Sequence, residues 1–77
     1  MQLIDFELRG DFVTLDNLLK ATGLAITGGA AKMMVSEGLV QVDGRDELRT
    51  TAKIRAGQVV SVHGTRVKVH PAASPQE

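Results

Sequence analysis

One short run of this chain offers chemistry: Thr27-Gly28-Gly29-Ala30-Ala31-Lys32. Where such a run opens a helix, the first N–H groups have no intrahelical acceptor and sit at the positive end of the helix dipole. Two glycines leave those amides uncovered, and a lysine one turn later adds a cation. Helix openings of this kind attract anions, phosphate above all. Thr27, Gly28, Gly29 and Lys32 are therefore candidate phosphate ligands. The same glycines have a plainer use, which is to turn the chain between two helices. The G-x-x-x-x-G-K-[ST] spacing is absent and no βαβ nucleotide-binding unit surrounds the run, which excludes a kinase or nucleotidase.

A second group of cations follows at Arg45, Arg49, Lys53 and Arg55. Residues 49–56 alternate strictly: Arg49, Thr51, Lys53 and Arg55 against Thr50, Ala52, Ile54 and Ala56. An extended segment with that pattern puts three cations on one face and small residues on the other. Charges on an exposed strand also discourage edge pairing, so a merely solvated face is the competing reading. Five phosphates neutralised by Lys32 and these four residues would give a log–log salt slope of about −3.5 to −4.5.

Other chemistries find little support. Asp46 and Glu47 are adjacent, and neighbours on a strand point to opposite faces, which is poor for a paired-carboxylate catalyst. Ser36, Ser61 and Ser74 have no evident base partner. His63 and His70 are the only histidines and there is no cysteine, so no metal or cofactor site is expected. The chain is expected not to be an enzyme. Phe6 and Phe12 are the only aromatics, and both are expected in the core or as staples. With so few rings, a nucleic-acid partner, if there is one, is expected to be recognised through its phosphates and helical shape.

The 77 residues allow one domain, expected over residues 1–70 and followed by a disordered tail at 71–77. No stretch approaches the roughly 20 apolar residues that span a bilayer. The first residues lack a positive n-region and a long apolar run, so a signal peptide is not expected. A cytoplasmic monomer is the expected state. Net charge is zero, but its distribution is uneven. Residues 1–16 carry Asp5, Glu7, Asp11 and Asp16 against Arg9, a net −3. Residues 45–70 carry six Lys and Arg against Asp46 and Glu47, a net +4. A bipolar molecule of this kind can turn its basic side to phosphate.

The elements that must position these residues follow from periodicity. Alternation in 3–8 predicts a first strand, ended by Gly10-Asp11. Thr14 is placed to cap a short helix whose Leu15, Leu18 and Leu19 fall on one stripe. Asp16 and Lys20 stand at i and i+4 in the favourable order, and Gly23 stops the helix. A second helix opens at Thr27 or Gly28, packs Ala30, Ala31, Met34 and Val35 inward, and ends at Gly38. Its Lys32 and Ser36 share the outer side with the glycine pair. Leu39-Val40-Gln41-Val42 reads as a strand and Asp43-Gly44 as a tight turn. Valines at 59, 60, 62, 67 and 69 flank His63-Gly64-Thr65 as a hairpin.

These pieces, in this order, resemble the RNA-binding domain named after small-subunit ribosomal protein S-four, also called the alpha-L motif. The matching segments are Leu15-Asp16-Asn17-Leu18-Leu19, Thr27-Gly28-Gly29-Ala30-Ala31-Lys32, Glu37-Gly38-Leu39-Val40-Gln41-Val42-Asp43-Gly44 and Ala56-Gly57-Gln58-Val59-Val60-Ser61-Val62. They run through 48 of 77 residues. The chain is most similar to small stand-alone bacterial proteins of that class, which share the Gly-Gly-x-Ala-Lys opening and a Glu-x-Arg before a basic strand, here Glu47-Leu48-Arg49. The resemblance implies an α+β fold of two packed helices and a small, mostly antiparallel sheet. It also implies a partner in structured RNA, ribosomal or transfer RNA among the candidates. Longer members carry arginine where this chain has Thr14 and Gly28. That departure and the zero net charge motivate an alternative: a protein-interaction module on the same fold with little RNA affinity.

Overall fold

The computed structural model describes residues 2–72; of the expected tail, residues 73–77 lie outside the described residues. The elements are β1 (Gln2–Glu7), β2 (Val13–Thr14), α1 (Leu15–Ala21), α2 (Gly28–Ser36), β3 (Val40–Val42), β4 (Arg45–Asp46), β5 (Lys53–Ile54), β6 (Val59–Val62) and β7 (Thr65–His70). The expected α+β architecture is present. A five-stranded sheet has the order β1-β7-β6-β3-β4, and β2 and β5 form a separate two-stranded ribbon. All pairings are antiparallel except β1 with β7.

Strand alternation places the core. Ile4 and Phe6 face the helices from β1, opposite Val67 and Val69 of β7. Val60 and Val62 continue that layer on β6, and Val40 and Val42 complete it on β3. The three leucines of α1 and Ala31 and Val35 of α2 are buried against it. Burying each aliphatic side chain is worth about 1.5–3 kcal/mol. Helices of seven and nine residues would be marginal alone, so this packing holds them.

Both helices stop at a glycine beyond the C-cap. In α2 the Gly38 N–H donates to the Val35 carbonyl and the Leu39 N–H to that of Met34, at 3.1 Å each. This double closure needs the left-handed backbone that Gly38 supplies at φ 76°. The two hairpin turns are Asp43-Gly44 and His63-Gly64, all four residues at positive φ, which matches the right-handed twist of the strands they join.

Four local expectations change. The predicted strand over residues 49–56 contracts to Lys53–Ile54. The Glu47 carboxylate accepts the Arg49 N–H at 3.1 Å, and the Ala52 N–H donates to the Arg49 carbonyl at 3.2 Å, which curls the chain before β5. The carbonyls of Thr50 and Ala52 are used to receive the Asp16 and Leu15 N–H groups at the start of α1. For that reason Thr14 stands at the N-cap position but its hydroxyl makes no cap bond. Asp16 forms no ion pair with Lys20 among the described residues, and its Oδ1 is buried without a hydrogen-bond partner. Phe12 is not in the core: it is 40% exposed, while Phe6 packs half-buried against the core.

Candidate nucleic-acid interface

The opening of α2 is built by Thr27. Its extended backbone ends the linker, and its Oγ1 accepts the Ala30 N–H at 3.1 Å. The Ala31 N–H donates to the Thr27 carbonyl at 3.0 Å. Among the described residues the N–H groups of Gly28 and Gly29 have no acceptor. The glycines are the first two residues of the helix and neither has positive φ. They are therefore not a turn between helices. A Cβ on Gly28 would meet no atom within 4 Å, and one on Gly29 would meet only Thr27 Oγ1, at 3.8 Å. Neither the fold nor its packing asks for glycine here. Glycine also costs up to about 1 kcal/mol against alanine within a helix. What the pair provides is access to the backbone. Lys32 is exposed on the outer side of α2, and helical side chains lean toward the N-terminus, back over this opening.

The second group of cations is divided. Arg49 lies in the turn before β5, and its Nε donates to the Glu47 carboxylate at 3.3 Å. It does not share a strand face with Lys53 and Arg55. Arg45 begins β4, at the edge of the large sheet, in a shallow groove that also has Asp43, Asp46 and Glu47 on its walls. Those three carboxylates offset its charge locally. Lys53 and Arg55 stay together on and just beyond β5, both exposed, with no carboxylate partner among the described residues. The Arg55 N–H donates to Gln58 Oε1 at 2.7 Å, which fixes the chain just past β5.

Phe12, absent from the sequence-derived set, is what joins those two cations. The Lys53 Nζ lies 5.0 Å and the Arg55 Cζ 5.7 Å from the centre of its ring. Such contacts are worth about 0.5–1 kcal/mol at exposed sites and hold flexible side chains over one surface. Alternation carried a usable signal for this: Val13 and Leu15 are the inward pair, so Phe12 and Thr14 must face outward.

Three of the remaining candidate groups are occupied, and Ser74 lies outside the described residues. Asp46 Oδ1 accepts from the Gln41 side-chain amide at 3.2 Å, and Glu47 holds Arg49. His70 Nε2 lies 2.8 Å from an Asp5 carboxylate oxygen. No cluster of three or more His, Cys, Asp or Glu suited to a metal occurs among the described residues. No helix among them is long and apolar enough to cross a membrane.

The helix pair, the sheet beside it and the order of the motifs place the chain in a class, and it belongs to the S4 domain family, matched over residues 6–70. Among its relatives is a protein of Escherichia coli (strain K12) named "Putative RNA-binding protein YbcJ", which is 47% identical over 57 residues, or 74% of this chain and 81% of the relative. The protein of Shigella flexneri named "Uncharacterized protein YbcJ" matches to the same extent. The solution structure of YbcJ from E. coli, described as revealing an alphaL motif involved in RNA-binding, has the same fold. Its TM-score is 0.70 at 41% identity, covering 91% of this chain and 90% of that one.

Proposed function

We propose that this chain is an RNA-binding module that recognises structured RNA mainly through phosphate contacts. The observation that carries the reading is the pair Lys53 and Arg55, exposed side by side and free of carboxylate partners among the described residues. The Gly28 and Gly29 amides with Lys32 form the second phosphate contact. Thr27 shapes that contact by taking the Ala30 N–H for itself. Arg45 and Arg49 contribute less, because carboxylates stand beside both. The name of the E. coli YbcJ relative and the description of its solution structure support the same reading. The RNA is structured, with ribosomal and transfer RNA the first classes to try, and the module binds it as a cytoplasmic monomer without catalysing a reaction.

The test is titration of ribosomal and transfer RNA fragments with wild type, Lys53→Glu and Arg55→Glu. Clear weakening in both reversals is expected. Equal affinity in all three proteins would exclude this surface.

One observation favours a second reading, a protein-interaction module. Ile26 is 92% exposed and Met33 61% exposed, and large apolar side chains of that kind can anchor a protein contact. Pull-down after nuclease treatment separates the readings. Partners that survive RNA removal favour the protein contact.

A further inference from the structure

The outward placement of Phe12 has no folding rationale of its own. Val13 and Ile54 are the inward pair of the β2–β5 ribbon. One residue to either side, Phe12 and Arg55 take the outer face, with Thr14 and Lys53 beside them. The ring is thus left 40% exposed with two cations over it.

Beside the ring opens a groove of about 720 Å³. Phe12, Val13 and Ala21 give it apolar walls, Asn17 and Arg9 give it polar ones, and Glu7 adds a carboxylate. The volume falls in the range of small-ligand sites, roughly 300–1,000 Å³. Lys53 and Arg55 at the ring suit a phosphate, while within the groove the opposite charges of Glu7 and Arg9 offset each other. The Asn17 side-chain amide can both donate and accept a hydrogen bond. The groove therefore suits a planar, uncharged group with polar edges that is joined to phosphates. A nucleobase on an RNA backbone has all of these properties.

We propose that Phe12 is a stacking platform for one unpaired base of the bound RNA, with the base in this groove and its flanking phosphates on Lys53 and Arg55. The proposal rests on the RNA-binding reading and adds to it a preference for a bulged or looped nucleotide. In continuous duplex the bases are stacked on one another and present no free face to the ring.

Two probes test it on the full chain: a fully paired RNA hairpin, and the same hairpin with a single bulged 2-aminopurine. Wild type should bind the bulged hairpin more tightly and change its fluorescence as the base leaves its neighbours for the ring. Phe12→Leu loosens Lys53 and Arg55 and so should weaken binding of both hairpins, but the bulged hairpin should lose about 5- to 150-fold more than the paired one. Phe12→Trp should keep the preference for the bulged hairpin. Equal losses on both hairpins would overturn the proposal, because the ring would then only hold Lys53 and Arg55 in place. Unchanged fluorescence on binding of wild type would overturn it as well. If wild type binds neither hairpin, nor ribosomal or transfer RNA, the RNA-binding reading itself falls.

Discussion

The Lys53 ammonium stands 5.0 Å from the centre of the Phe12 ring. Across the same ribbon, Arg55 approaches the ring to 5.7 Å. Two of the chain's nine Lys and Arg residues are thereby gathered on one exposed aromatic. A protein of zero net charge gains a local positive surface this way, because the lever is the arrangement of charges and not their sum.

Arg49 differs from its neighbours because Glu47 already holds it, through both its side chain and its backbone N–H. A cation paired in this way has less charge to offer a phosphate. Arg49→Ala should therefore weaken RNA binding less than Lys53→Ala or Arg55→Ala, in parallel titrations at one salt concentration. The Arg49 side chain is 80% exposed, so losing its arm of the ion pair should cost no more than about 1 kcal/mol of stability.

Thr27 caps α2 through its hydroxyl, which takes one of the first-turn amides. Thr27→Ala should lower unfolding free energy by about 1 kcal/mol, within a range of 0.5–2, while Thr27→Ser should restore most of it. Urea titration followed by circular dichroism measures both.

Gly38 ends the same helix at φ 76°, and a Cβ there would meet nothing within 4 Å. The cost of Gly38→Ala is thus backbone strain without a clash, about 1–2 kcal/mol. For a chain of this size that corresponds to a fall in Tm of about 4–16 °C. The contrasting substitution is Gly28→Ala, also in open space but in helical backbone. It should be neutral or slightly stabilising by the same melting experiment.

Elements whose signals are local were legible in the sequence. The Leu15, Leu18 and Leu19 stripe, the glycine stops at 23 and 38, and the turns at Asp43-Gly44 and His63-Gly64 each depend on a few adjacent residues. The Gly28-Gly29 helix opening was legible for the same reason. Long-range pairing was not. Nothing in residues 2–7 announces that β1 will lie parallel to β7, more than sixty residues away. The alternation of residues 49–56 was real but misleading. The carbonyls of Thr50 and Ala52 serve the start of α1, and Glu47 bends the chain at Arg49. The same contact removed the need for a Thr14 cap. Phe12 departs from its expected place because apolar type argues for the core, whereas its phase relative to Val13 turns it outward.

The most direct test is the salt dependence of RNA binding. With three to four phosphates neutralised, log affinity should fall against log salt with a slope between about −2 and −3.6. The double variant Lys53→Ala with Arg55→Ala should flatten that slope by about 1.4 to 1.8. A slope that the double variant leaves unchanged would contradict a phosphate-binding surface at the Phe12 ring.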